Sequence, residues 1–90
     1  MIKALFWALK QHADTISPAE KLVLIGLADM SNEDQCVNVS LIKLSKFTGF
    51  DNDVLEQLID NLCDKGFIKN LDGEKINLEH MTYFKLLITL

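Results

Sequence analysis

The spacing of apolar residues changes once along this 90-residue chain, and that change decides the fold class. Before Gly66 the apolar positions recur every three or four residues, as they do in helices. Beyond Gly66 they alternate, first over 67–71 and 74–78 on either side of an Asp-Gly pair and then over 83–90. The chain is therefore predicted to be mainly α with a small β-sheet (α+β).

Two helices are predicted in the first third of the chain. The first covers residues 2–12, and helical spacing assigns it these core positions: Ile2, Leu5, Phe6 and Leu9. The second begins at Pro18 and continues to about residue 30. Ser17 is its predicted N-cap and forms a capping box with Glu20, which satisfies two amide groups at the helix start.

Two further helices are predicted on either side of a short turn. An extended segment over 36–39 leads to Ser40, the predicted N-cap of a helix over 41–48. Gly49 ends that helix by supplying a left-handed residue, and Asp51 is predicted to cap the next helix. The apolar stripe of this fourth helix comprises Val54, Leu55, Leu58, Ile59, Leu62 and Cys63.

This order of elements makes up a winged helix-turn-helix, with three or four helices and a two- or three-stranded antiparallel sheet. Three segments, WALKQ at 7–11, PAEKLVLIGLAD at 18–29 and LSKFTGF at 44–50, resemble the winged-helix domain of phage and plasmid replication-initiation proteins. The resemblance covers about residues 7–70 and implies a DNA-binding domain. In that family the helix after the Thr-Gly turn is the recognition helix and opens with serine and basic residues.

The charge of the corresponding helix departs from that pattern. Residues 51–64 contain five acidic residues and no base, so this helix would repel the phosphates that flank a DNA groove. Two of the acids suit the helix N-terminus, but Glu56, Asp60 and Asp64 repeat every four residues and repel one another. The pattern fits a solvated face or a surface for a basic protein groove equally well. The candidate protein-binding residues are Asp53, Glu56, Gln57, Asp60 and Asp64.

The lysines support a competing hypothesis. All nine bases are lysine and the net charge is -4, so arginine, which reads guanine edges bidentately, is absent. Lysines can still contact phosphates without reading sequence. On this alternative the protein is a DNA-binding replication or transcription regulator that uses Lys43, Lys46, Lys69 and Lys75, with Lys65 also near the predicted wing.

Other chemistry is not indicated by the sequence. Cys36, Cys63, His12 and His80 lack the ligand spacing of structural zinc sites, so we expect no metal and read both cysteines as buried thiols. No nucleophile motif, glycine-rich phosphate loop or paired-carboxylate cleft is found, so neither an enzyme nor a cofactor is predicted. The N-terminal apolar run is too short for a membrane span, and a cytoplasmic location is expected.

The sequence thus predicts one non-enzymatic winged-helix domain over residues 1–90 that acts through protein contacts. The resemblance implies a phage or other mobile-element context. In that context the acidic helix leads to the hypothesis of an inhibitor of a host nucleic-acid machine, as an anti-CRISPR protein is, or of a replisome adaptor. A homodimer is a further alternative, because Phe6, Trp7 and the tail over 83–90 carry more apolar surface than a small core needs. The first helix or an unpaired edge of the terminal strand would then contact a second copy.

Overall fold

The secondary structure follows the predicted order of elements. The computed structural model describes residues 2–12, 14–71 and 82–88. The elements are α1 (Ile2–Leu9), α2 (Pro18–Asp29), β1 (Cys36–Val39), α3 (Leu41–Thr48), α4 (Asn52–Asp64), β2 (Ile68–Asn70) and β3 (Thr82–Leu86). Within the described residues, four helices and a three-stranded antiparallel sheet form the predicted α+β fold of the winged-helix type.

Side-chain caps define where α2 and α3 begin. The Glu20 amide donates to Ser17 Oγ at 3.1 Å, and the Ser17 amide donates to Glu20 Oε1 at 2.8 Å. This reciprocal pair is the predicted capping box, with Pro18 in the first turn where no amide is needed. At α3, Ser40 Oγ accepts from the Lys43 amide at 3.2 Å. Both helix starts are therefore fixed locally, as predicted.

The turn between α3 and α4 depends on one left-handed residue. Gly49 has a φ of 81°, and its amide donates to the Ser45 carbonyl at 2.7 Å. The hydroxyl of Thr48 donates to the Leu44 carbonyl at 3.0 Å and accepts from the Phe50 amide at 3.2 Å. These bonds end α3 and hold the backbone in the bend that starts α4, which confirms the role predicted for Gly49.

Asp51 caps α4 less fully than expected. It occupies the N-cap position with an extended backbone, but its side chain makes no capping hydrogen bond. The prediction of a side-chain cap is therefore wrong. Its carboxylate contributes only a negative charge beside the positive end of the helix dipole.

The terminal strand lies at the centre of the sheet. The order is β1-β3-β2, with Val37 opposite Phe84 and Ile68 opposite Leu86. Phe84 and Leu86 are fully buried while Tyr83 and Lys85 are exposed, so the predicted alternation is confirmed. Because β3 is paired on both sides, the prediction that its edge is free to pair with a second copy is wrong. The predicted partner segment 74–78 and its Asp72-Gly73 turn lie outside the described residues.

The core forms where α2 packs against α3 and α4. α2 contributes the fully buried Val23, Leu24, Leu27 and Ala28, and α4 packs beside it with Leu55, Ile59 and Leu62. A Cβ at Gly26 would lie 2.9 Å from Phe47 Cδ2 and 3.1 Å from Leu44 Cδ1. Such a contact is tighter than van der Waals packing allows, so the absence of a side chain at Gly26 sets the separation of the two helices.

The helix α1 packs on a different face from the predicted one. Phe6 and Leu9, assigned to the core, are exposed, whereas Ala4, Trp7 and Ala8 are buried. The two alanines let α1 approach α2, and the Trp7 ring packs against Phe67 with centroids 6.2 Å apart. The packing of the Trp7 ring, and not the helical spacing of Phe6 and Leu9, therefore determines which face of α1 is buried.

α1 also ends earlier than expected, at Leu9. The Gln11 side chain donates to the Trp7 carbonyl at 2.8 Å, which is the acceptor that the Gln11 amide would use in a continuing helix. The backbone amide of Gln11 donates to the Ala8 carbonyl at 3.3 Å instead. Among the described residues, no helix is long and apolar enough to cross a membrane.

The left-handed turn yields a stability prediction. Gly49→Ala adds a methyl group that meets no atom within 4 Å, so its cost is confined to the backbone. We expect a loss of about 1–2 kcal/mol in the free energy of unfolding, measured by urea denaturation. Gly49→Asn is the control and should lose less, because asparagine tolerates this conformation better. An alanine variant as stable as the original chain would contradict this account of the turn.

Candidate protein-binding face of helix α4

The outward face of α4 carries most of the predicted protein-binding residues together. Asp53, Gln57, Asp60 and Asp64 are exposed, while Glu56 is half-buried at the margin of the face. We call these five residues the acidic face. The opposite side of the helix holds the buried residues Leu55, Leu58, Ile59 and Leu62. The structure therefore brings together the residues that helical spacing assigned to one surface.

Two residues of the predicted apolar stripe of α4 do not belong to the core. Val54 is exposed to 43% and lies at the edge of the outward face. Cys63 is half-buried and packs against the margin of the core. Val54 precedes the buried Leu55 by only one residue, which turns it about 100° around the helix and away from the core.

Helix stability does not account for the acids at the C-terminal end of α4. Asp53 lies in the first turn, where a negative charge is favourable. Asp60 and Asp64 lie in the second half of the helix, toward the negative end of the dipole, and the last turn contains no base. Their four-residue spacing adds mutual repulsion. The fold thus carries two carboxylates that weaken the helix bearing them.

The base that follows α4 is already paired. Lys65 Nζ lies 2.7 Å from Glu20 Oε1, and the Glu20 side chain is only 4% exposed. The same oxygen accepts from the Ser17 amide. Lys65 is therefore held at the start of α2, and the phosphate contact considered for it would require breaking a half-buried ion pair.

The ionisation of Glu20 reflects this arrangement. Burial raises the pKa of its carboxyl, but Lys65, the Ser17 amide and the Asn61 side chain together lower that pKa below its ordinary value of 4.5. Asn61 Oδ1 in turn accepts from Gln57 Nε2 at 3.0 Å. Gln57 of the acidic face is thus linked through the Asn61 side chain to the Glu20–Lys65 ion pair, which joins α4 to α2.

The cysteines are half-buried rather than buried as expected, and both are free thiols. Burial raises the pKa of the Cys63 thiol, and the charges of Asp60 and Asp64 raise it further. Cys63 is therefore protonated at neutral pH and is a poor nucleophile. Within residues 2–12, 14–71 and 82–88 no group of three or more His, Cys, Asp or Glu side chains could hold a metal. His80 lies outside these ranges.

The lysines of the competing hypothesis occupy separate elements. Lys43 and Lys46 are exposed on α3, and Lys69 is exposed on β2. Lys75 lies outside the described residues. Lys85, which is not among the candidate residues predicted from the sequence, lies directly opposite Lys69 in the sheet. The alternation of the tail signals that Lys85 points outward, but the sequence does not give the register between strands.

These features define a winged-helix-type α+β fold in which the helix after the turn carries an acidic outward face. Comparisons with protein-family models, curated proteins and solved structures find no match to this chain.

The buried carboxylate of Glu20 yields a prediction on pH. Its pKa is lower in the folded chain than in the unfolded chain, so its ionised form stabilises the fold above the unfolded value near 4.5. That contribution is lost as the pH falls through the lower, folded pKa. We expect Glu20→Gln to reduce the free energy of unfolding by about 1–2 kcal/mol at neutral pH.

Urea denaturation at neutral and acidic pH measures this contribution. The difference between Glu20→Gln and the original chain should shrink as the pH falls below the folded pKa of Glu20, because both side chains are then neutral. Glu33→Gln removes an exposed charge and serves as the control. A difference that does not vary with pH would contradict the assigned role of the Glu20–Lys65 pair.

Proposed function

We propose that this chain is a non-enzymatic, cytoplasmic protein of a phage or other mobile element that binds a basic protein surface through its acidic face. The partner surface is one that otherwise holds nucleic acid, so the protein acts as an anti-CRISPR-like inhibitor or as a replisome adaptor. The observation that carries this proposal is the position of Asp60 and Asp64 at the unfavourable end of α4, where neither forms an ion pair within the described residues. The helix stability that these two carboxylates cost is offset by the favourable charge contacts that they make with a basic partner.

The geometry of the acidic face suits such a partner. Residues four apart on a helix have Cβ atoms about 5–6 Å from one another, so Asp60 and Asp64 present two neighbouring carboxylates. A groove of lysine and arginine side chains that accepts successive phosphates can accept these carboxylates instead. Electrostatic attraction would also speed encounter, since complementary potentials raise association rates.

Duplex DNA binding is the second candidate function. Its support is the exposure of Lys43 and Lys46 on α3, although Lys46 in the last turn also favours the helix dipole. A duplex docked on α4 in the manner of a recognition helix would bring Asp53, Asp60 and Asp64 close to phosphates. This repulsion favours the protein-binding proposal.

A charge reversal separates the two candidates. Asp60→Lys/Asp64→Lys should abolish capture of protein partners from a host lysate, because it places like charges against a basic surface. Glu33→Lys/Asp34→Lys, which changes the net charge equally at two exposed loop residues, is the matched control and should retain capture. Proteins captured by the original chain should be released by salt and by heparin.

Binding of the original chain to random-sequence duplex DNA is measured in parallel over a salt titration. We expect no binding even at low salt. Tight binding that weakens steeply with salt and is lost in Lys43→Glu/Lys46→Glu would establish the DNA candidate instead. Unchanged protein capture by the Asp60/Asp64 variant would exclude the acidic face as the binding surface.

A further inference from the structure

One face of the sheet packs against the helices, and the other, which we call the open face, is not covered by any described element. Ile68, Phe84 and Leu86 point into the core, so the residues between them point outward. The outward residues include Lys69 of β2 and Tyr83 and Lys85 of β3. All three are exposed, with Tyr83 exposed to 47%.

Lys69 and Lys85 lie directly opposite one another on paired strands. The Cβ atoms of such a pair are about 4.5–5.5 Å apart, and like charges in this arrangement destabilise a sheet. Neither lysine forms an ion pair with any residue in the described part of the chain. A lysine on an edge strand, as β2 is among the described strands, can serve to prevent edge-to-edge pairing, but β3 is the central strand. Prevention of edge-to-edge pairing can therefore explain Lys69 but does not explain Lys85.

An aromatic ring lies beside the two ammonium groups. Tyr83 precedes Lys85 by two residues on the same face, about 7 Å along the strand. The Leu71 amide donates to the Tyr83 carbonyl at 2.9 Å, and the half-exposed Leu71 side chain follows β2. The open face thus combines two lysines that form no ion pair within the described residues with a half-exposed aromatic ring on a three-stranded sheet.

We propose that this open face binds single-stranded nucleic acid. A base stacks on the ring of Tyr83, and Lys69 and Lys85 contact the phosphates next to it. An anion between the two lysines removes their repulsion. An acidic peptide would satisfy the lysines but would leave the ring unused, and a duplex would keep its bases stacked away from the ring. The inference is independent of the protein-binding proposal, because these three residues do not belong to the acidic face.

Fluorescence anisotropy with a labelled oligothymidine tests this site over a salt titration. Two phosphate contacts predict a slope of log K against log salt of about -1.4. Lys69→Glu/Lys85→Glu should abolish binding. Lys3→Glu/Lys10→Glu carries the same change in net charge at two exposed residues outside the sheet and should leave binding unchanged. Tyr83→Leu should weaken binding about fivefold or more without changing the slope.

Several outcomes would overturn the proposal. These are a failure of the original chain to bind at low salt, equal losses in the two lysine variants, and no effect of Tyr83→Leu. Displacement of the oligothymidine by polyglutamate at equal charge concentration would show that an acidic protein is the ligand instead. Thermal unfolding by circular dichroism establishes that each variant is folded, and Lys69→Gln/Lys85→Gln replaces the glutamate variant if that one does not fold.

Discussion

The carboxylate of Glu20 is the interaction on which the arrangement of the helices depends. One side chain caps the start of α2 through the Ser17 amide and holds the end of α4 through Lys65. A buried carboxylate is tolerated only when its hydrogen bonds are satisfied. The Ser17 bond is local to the start of α2, whereas the Lys65 bond forms only where the end of α4 lies beside that start. The apolar residues of α2 and α4 form the packed core between these helices, and the Glu20–Lys65 pair joins the helices at its margin. Burial of Leu55, Leu58, Ile59 and Leu62 in that core turns the acidic face outward.

Local signals in the sequence predicted the elements well. Ser17 with Glu20, Ser40 and Gly49 each act within a few residues, and each does what its sequence pattern indicates. Alternation likewise predicted which residues of β3 are buried. The prediction for α1 was wrong because a contact with a residue far away in the sequence determines which of its faces is buried. The ring of Trp7 has its partner sixty residues away at Phe67, and no pattern within α1 reveals which of its faces will meet that ring.

The candidate sites also divide into one that local spacing predicts and others that depend on contacts between distant residues. The acidic face could be predicted because helical spacing alone places residues 53, 57, 60 and 64 on one side of α4. Pairing of Lys65 with Glu20 joins positions 45 residues apart, and the opposition of Lys69 and Lys85 depends on strand register. Neither is encoded in any short window of the sequence. A lysine that looks free in the sequence can therefore be occupied in the fold, and two that look unrelated can be neighbours.

The central position of β3 has a consequence for the order of folding. Among the described strands, β1 and β2 are joined through β3, and Phe84 and Leu86 fill the space between the sheet and the helices. During synthesis the four helices leave the ribosome before β3 does, so the sheet face of the core stays open to water until residues 82–86 emerge. The helices can form early from their caps and local contacts, but the native core closes only after residues 82–86 have been synthesised. A chain interrupted before β3 would leave β1 and β2 without the strand that pairs with both of them, and would become a substrate for aggregation or proteolysis.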